Sequence, residues 1–390
     1  MSDKTIQNPR TEIDAIDGEI LHLLNRRAEI ALRVGAAKTK AEASLCDPGR
    51  ENEVIERLTK ENPGPFDRRG IANIFQRIID ESLHLQQSTY HRPAKDHSAE
   101  INSIEAPKGS RVAFLGEHGT FSETAALGIL GNSAEYVSYP DFDTLFGAIE
   151  RGETDHIISP LENSLVGSIH RCYDLLLNSD LSIVAEIILP VSHFLIACEG
   201  ATLETIKTVE SHPAALGQCD RFFSAHPHLG RIAAGDTAGS VKRAVESGDV
   251  TRAAIGGRRT AEIYGGTIIR EHIEDHNENY TRFVLLARGE NTTADGNKIS
   301  LVISLSNEPG SLHNALRPFV RRNIDLLKIE SRPIKGDPTK FSFYLDLRPP
   351  SNENDLSGAF EEIRELSDNV RFLGRYPAIR LTDEQIQNIE

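Results

Sequence analysis

Two groups of residues in this 390-residue chain have the types and spacing to handle a small anionic molecule. In the first, Arg27 and Lys38 stand eleven residues apart in a run of helical periodicity. On a helix they return to nearly the same face, about 16 Å apart along the axis. Two long cationic side chains leaning together over that gap grip a small dicarboxylate, unless both are simply exposed surface charges. Arg10 falls about 25 Å from Arg27 on the same count. It is therefore either solvated or a donor to the pocket of a second copy. Ser82 and Gln86 interrupt an apolar stripe shared with Phe75 and Ile79. They either serve the same pocket or bond to a neighbouring helix or backbone.

The second group is gathered at turns. The apolar run "DHIISP" stops at Pro160 and delivers Glu162, Asn163 and Ser164 together. "VAFLGEHGTFSETAA" starts a helix near Thr120 and Ser122, where free N–H groups favour a carboxylate. "ESHPAALGQC" carries Ser211 and Gln218, "GDTAGSVK" carries Thr237, and "NENYTRFVLLAR" carries Thr281, Arg282 and Phe283. Such strand ends and helix starts are where α/β proteins place ligands, although each residue alone is an ordinary cap or turn. His272 and His276 are four apart, a spacing that on a helix presents two metal ligands. Their polar, acidic neighbours and the lack of a third ligand read instead as a solvated loop, with no metal.

The elements that position these groups differ along the chain. Residues 9 to about 90 read as three helices: one of unusual length starting at Asn8-Pro9, a second capped by Asp47 in "CDPGREN", and a third carrying Ile71 to Leu85. "STYHRPAKDHSAEINSIEAPKGS" reads as a linker. From Arg111, short β-rich runs alternate with helices, an α/β pattern, until a second linker, "RGENTTADGNK". The remainder reads β-α-β-β-α-β, the order of a ferredoxin-like sandwich. The domain boundaries follow at 1–92, 110–290 and 298–390.

The net charge of −15 disfavours nucleic acid and anionic membrane surfaces as partners. Four scattered cysteines, no secretory h-region and no membrane-length apolar run give a cytoplasmic reading.

"NPRTEIDAIDGEILHLLNRRAEIALRVGAAK", "CDPGRENEVIERL" and "FQRIIDESLHLQQ" resemble the all-helical chorismate mutase family. That resemblance implies an intertwined dimer, with Arg27, Lys38, Asp47, Arg50, Glu51, Ser82 and Gln86 around one pocket and Arg10 given by the partner. Lys38 and Gln86 would face the breaking ether oxygen of chorismate, with Arg10 and Arg27 as carboxylate clamps. "VAFLGEHGTFSETAA", "PLENSLVGSI", "SHPAALGQC", "DTAGSVK" and "NYTRF" resemble the prephenate dehydratase family, whose fold is two α/β lobes around a cleft, like periplasmic binding proteins. Here Thr281 matches the essential threonine, with Glu162 expected behind it as proton source. Asn163, Ser211, Gln218 and Thr237 are expected to orient prephenate, and Arg282 to pair with a carboxylate. Glu117 departs from the family, which usually has proline at that place.

The last segment resembles an ACT regulatory domain. "PGSLHNAL" supplies Gly310, Ser311 and Leu312, and "ESRP" supplies Glu330, Ser331, Arg332 and Pro333, as a phenylalanine site between subunits. Ser311 and His313 replace the usual alanine and valine. Together the resemblances imply a multidomain, cofactor-free bifunctional enzyme, a homodimer or larger, that turns chorismate through prephenate into phenylpyruvate under phenylalanine feedback. The rival from another class is a non-catalytic metabolite sensor built from the same parts.

Overall fold

The computed structural model describes residues 3–41, 43, 45–90, 109–289, 291–334, 336–382 and 385–386, with the backbone alone for 3–8 and 338. The chain divides into two compact units, residues 1–97 with 303–371 and residues 98–302 with 372–390.

The first unit holds helices α1 (Asp3–Lys40), α2 (Pro48–Glu61) and α3 (Arg68–Tyr90). The expected start at Pro9 is overtaken, because α1 begins at Asp3 and carries Pro9 inside it. Pro9 has no N–H to give the preceding turn, a defect tolerated near a helix end. The Asp47 carboxylate accepts from the Arg50 N–H at 3.1 Å, and Pro48 takes the first position of α2, where its missing donor costs nothing. Both α1 and α2 pack on α3. Gly35 lets α1 approach closely, since a Cβ there would meet the Gln86 side chain at 3.0 Å. The opposite side of α1 stays uncovered, with Ile13 at 55 % and Leu23 at 60 % exposure. The first linker lies largely at 91–108, outside the described residues.

The second unit contains two sheets. Its first part runs β1 (Arg111–Leu115), α4 (Phe121–Leu130), β2 (Glu135–Tyr139), α5 (Phe142–Glu150), β3 (His156–Asn163), β4 (Gly167–Ser168), α6 (His170–Leu177) and β5 (Leu181–Pro190). The second lobe follows as β6 (Phe194–Ala197), β7 (Thr208–Ser211), α7 (Pro213–Gly217), α8 (Asp220–Ala225), β8 (Gly230–Ala233), α9 (Thr237–Glu246), β9 (Arg252–Gly256), α10 (Arg258–Tyr264) and β10 (Thr267–Arg270), and β11 (Tyr280–Arg288) returns to the first. The chain goes on, with residues 303–371 belonging to the first unit, as β12 (Lys298–Ser306), α11 (Ser311–Arg321), β13 (Leu326–Ile334), β14 (Asp337–Leu347), α12 (Glu353–Leu366), β15 (Asn369–Tyr376) and β16 (Ala378–Arg380).

The first lobe's sheet has the order β16-β5-β11-β3-β1-β2, with β4 beside β3; the second lobe's is β10-β6-β9-β7-β8. Phe114, Ile129, Ile158, Ile187 and Phe283 form the core between the first sheet and α4. Each such buried side chain stabilises the fold by about 1.5–3 kcal/mol. The second sheet is covered on both faces, by α9 and α10 through Val241 and Ala261 and by α7 and α8 through Leu216 and Phe223.

Three expectations change. Strand β3 does not stop at Pro160 but runs on to Asn163, because the ladder to β11 shifts register between Arg282 and Phe283, leaving Leu161 as an extra residue. A bulge is where a strand tolerates proline. The second linker is pinned rather than loose: Thr293 donates to the Arg375 carbonyl at 3.0 Å and Arg375 to that of Asn291 at 3.2 Å. Gly296 packs so closely that a Cβ would lie 2.6 Å from the Tyr376 nitrogen. Finally, residues 378–380 do not stay with the last segment but pair in parallel with β5. The sheet β13-β14-β12-β15 otherwise has the β-α-β-β-α-β order expected.

Candidate active sites

The hydroxyl of Thr281 lies at one end of a chain of polar groups joining the two lobes. Register places Thr281 opposite Asn163 on the β3–β11 ladder. Asn163 Nδ2 donates to Thr281 Oγ1 at 2.9 Å and to Asn279 Oδ1 at 2.8 Å. Asn279 Nδ2 donates to Gln218 Oε1 at 3.1 Å, and His193 Nε2 meets the same oxygen at 2.7 Å. Asn163 is itself fixed, its Oδ1 accepting from the N–H groups of Leu165 and Val166 at 3.0 Å each. Because Thr281 Oγ1 accepts from an amide that cannot accept back, its own proton is left to donate elsewhere. Burial lowers the His193 pKa, which keeps the imidazole neutral and able to donate from Nε2.

The loop before α4 closes against the second lobe. Glu117 pairs with Lys242 at 3.2 Å, which raises the lysine's pKa, and Thr260 Oγ1 donates to the Gly119 carbonyl at 2.8 Å. Gly119 has φ +86°, and a Cβ would meet Thr260 Cα at 2.9 Å, so only glycine fits. Thr120 accepts from the Glu123 N–H, while Glu123, 5 % exposed, accepts from the Gly119 N–H at 2.7 Å. This variant of the capping box, in which Glu123 takes the N–H of the residue before the cap, puts a protein carboxylate at the helix start expected to receive a ligand's. Thr120 is a cap, and Ser122 is buried beside it.

In the helical segment, Arg27 Nη1 donates to Ser82 Oγ at 2.5 Å and to the Ile78 carbonyl at 3.4 Å. No carboxylate among the described residues pairs with this guanidinium, and burial lowers its pKa. A half-buried cation in that state gains from an anionic ligand. Lys38 Nζ donates to the Leu45 carbonyl at 3.0 Å and lies 3.8 Å from Asp47. Gln86 Nε2 donates to the Ala31 carbonyl at 2.5 Å. Arg10, Arg27 and Lys38 share the continuous α1, and Arg10 is exposed.

Family models for chorismate mutase type II and prephenate dehydratase match residues 9–87 and 112–291. The bifunctional chorismate mutase/prephenate dehydratase of Neisseria gonorrhoeae is 33 % identical over 369 residues, covering 94 % of this chain and 96 % of that one. The chain belongs to the bifunctional chorismate mutase/prephenate dehydratases. The prephenate dehydratase of Arthrobacter aurescens in complex with L-Phe superposes with a TM-score of 0.63 at 28 % identity, over 68 % of this chain and 89 % of that one. A structure described as a quorum-quenching acylase superposes similarly, with a TM-score of 0.62 at 27 % identity, over 69 % of this chain and 98 % of that one. The fold alone does not choose between those chemistries. The relative matched along nearly its full length does.

Several residues expected in the sites of such a bifunctional mutase/dehydratase stand elsewhere. Glu162 is paired with Arg282, one residue along each strand from Asn163 and Thr281, so it faces the other side of the sheet. It cannot feed a proton to Thr281. Arg282 is buried against protein carboxylates, 2.6 Å from Glu186 and 3.8 Å from Glu162, rather than held for a substrate. Phe283 is a core residue at 2 % exposure. Ser211 is fully buried and donates to the Ile255 carbonyl at 2.8 Å. Ser164 staples the neighbouring loop, bonding the Glu278 carbonyl and the Tyr280 N–H. Thr237 is the first residue of α9, where Asp236 does the capping. In the helical segment, Arg50 turns outward to Glu53 at 2.9 Å, whereas Glu51 stays at the Asp47 turn, its second oxygen bridged by Arg321. Residues 271–279 are not helical, which removes the premise of a His272–His276 metal pair.

Sequence reasoning passed over Asn279, His193 and Glu186. Asn279 stands two residues before Thr281, the spacing that puts side chains on one strand face, and was detectable in that way. Fully buried Glu186 takes Lys298 at 2.7 Å, Arg282 at 2.6 Å and Tyr376 at 3.3 Å. Its partners come from distant strands, and no local pattern marks it.

Proposed function

We propose that the chain converts chorismate to prephenate in its helical segment and prephenate to phenylpyruvate between the α/β lobes. The observation that carries the first step is the half-buried Arg27, with no carboxylate partner among the described residues, on the same helix as Lys38. A Claisen rearrangement needs no proton transfer and no covalent intermediate. Holding both carboxylates selects the compact reactive conformer, and a cation with a carboxamide at the ether oxygen stabilises its growing negative charge. Lys38 and Gln86 take that place in this reading, with Arg27 as one clamp.

For the second step, loss of carbon dioxide pushes electrons into the ring as the hydroxide departs. Thr281, its oxygen occupied by Asn163, directs its proton toward the leaving oxygen. Gln218 and Asn279 fix the width of the cleft by bonding one lobe to the other. The two sheets joined by two crossings support a periplasmic-binding-like architecture, and no cofactor is required.

A second copy completes the mutase in this proposal. The apolar face of α1 and the open hollow of about 480 Å³ beside Lys38, walled by Ile30, Val34 and Ala37, favour an intertwined dimer that brings Arg10 to its partner's pocket. The segment 298–390, less the strand lent to the first lobe, is proposed as an ACT domain. Gly310, at φ +88°, with Ser311 and Leu312 opens α11, while Glu330 to Pro333 lie on β13 at the end of its sheet, as an effector site between subunits would need. The complex of the Arthrobacter aurescens enzyme with L-Phe supports phenylalanine as that effector. The decisive experiment adds chorismate to the purified chain and follows phenylpyruvate. Its appearance, slowed by added phenylalanine, is expected. Binding of chorismate without turnover would favour the sensor reading.

A further inference from the structure

Arg321, the last residue of α11, lies 7 % exposed at the foot of the helical segment, far along the chain from any residue expected in the mutase pocket. Its guanidinium bridges Glu51 of α2, lies 3.5 Å from Asp80 of α3 and 3.9 Å from Glu362 of α12. Its carbonyl accepts from Gln87 Nε2, also buried, at 2.5 Å. The neighbouring Arg322 is fixed by Glu362 at 2.6 Å and by the close approach of Gly358. The end of α11 is thus anchored on its own domain while its terminal side chain reaches the helices.

Glu51 passes that contact on. Its other oxygen accepts from the Asp47 N–H at 3.3 Å and from the Cys46 thiol at 3.9 Å. Asp47 caps α2 and stands 3.8 Å from Lys38, whose ammonium also donates to the Leu45 carbonyl. Arg321, Glu51, the Cys46–Asp47 backbone and Lys38 therefore form one continuous sequence of polar contacts.

We propose that Arg321 is a positioning residue for the mutase, holding Glu51 so that the turn between α1 and α2 presents Lys38 to the ether oxygen. Removing the guanidinium leaves Glu51 and Asp80 as neighbouring carboxylates in a desolvated place without their shared cation. Like charges there repel, and Glu51 turns away from the Asp47 N–H. The inference rests on Lys38 and Glu51 serving the mutase pocket.

The test uses the full chain with Arg321→Ala, Arg321→Lys and Glu51→Gln, assaying mutase on chorismate and dehydratase on prephenate separately. The coupling predicts that Arg321→Ala lowers mutase kcat by about 5- to 100-fold, with KM little changed and the dehydratase intact. Arg321→Lys, which keeps the charge without the fork, should recover part of the loss. Combining Arg321→Ala with Glu51→Gln should cost little more than either alone. An unaffected mutase in Arg321→Ala beside an impaired one in Glu51→Gln overturns the coupling alone. An unaffected mutase in Glu51→Gln removes the pocket reading beneath it. Equal loss of both activities in both Arg321 variants also overturns the proposal, because it makes Arg321 a general structural residue.

Discussion

Thr281 and Glu162 face opposite sides of the β3–β11 ladder, Thr281 with Asn163 and Glu162 with Arg282. The family resemblance, with a threonine hydroxyl too weak an acid to act alone, had suggested one proton relay. The strand's alternation separates the two carriers into different environments, the Asn163–Asn279 amide chain for Thr281 and the Arg282 ion cluster for half-buried Glu162.

Substitution at these positions should therefore diverge. Thr281→Ala is expected to lower phenylpyruvate formation by about 10²–10⁴-fold, and Glu162→Gln by far less. Steady-state rates on prephenate check this. Equal losses would return Glu162 to the chemistry.

Lys38→Ala should cost the mutase several orders of magnitude while leaving turnover of supplied prephenate unchanged, since the two reactions use different units. A modest loss would remove Lys38 from the ether oxygen.

Arg10 offers a test of the second copy. Variants Arg10→Ala and Lys38→Ala should each be inactive as mutases. After subunit exchange between equal amounts, half the dimers are mixed and one of their two pockets is intact, so about a quarter of wild-type activity should return. No recovery after verified exchange would deny the partner's contribution.

Glu186→Ala should destabilise the chain by about 3–5 kcal/mol, because Lys298 and Arg282 would remain buried without their shared carboxylate. Glu186→Gln, which keeps the shape, leaves the same cations uncompensated and should also be destabilising. Urea unfolding of each variant measures the difference.

His193 should leave a signature in the pH dependence of stability. Burial holds its pKa below the ordinary 6.5, so the unfolded chain takes up the proton first as pH falls. The stability it contributes is whole above pH 6.5 and is lost progressively as pH drops from there toward the lower native value. His193→Gln should flatten that portion of the curve, read as urea midpoints across the range.

Local grammar carried much of this fold. The periodicities of the three helices, the β-rich runs and the final β-α-β-β-α-β order each depend on residues within one turn or one pleat. So did the Asp47 cap and the polar register of Arg27, Ser82 and Gln86. What escaped depends on three-dimensional pairing. The bulge at Leu161 is set by the partner strand, and the return of residues 378–380 to β5 is a contact across nearly two hundred positions. Phe283 and Arg282 were read with Thr281 as one motif, although each points into a different environment. Helix-start chemistry was visible before α4, but not that Glu123 would itself occupy it.

Thr281 and Arg282 are consecutive, so one peptide plane separates the Asn163-bound hydroxyl from the Glu186 cluster that collects side chains of β5, β12 and β15. Such a strand acts as a thin partition. A rearrangement of Lys298 or Tyr376 behind the strand would reach the hydroxyl in front through that single peptide, without a hinge or a long relay. Slowed catalysis with unaltered substrate affinity would be the natural outcome, and altered amide exchange at residues 280–283 its nearest trace.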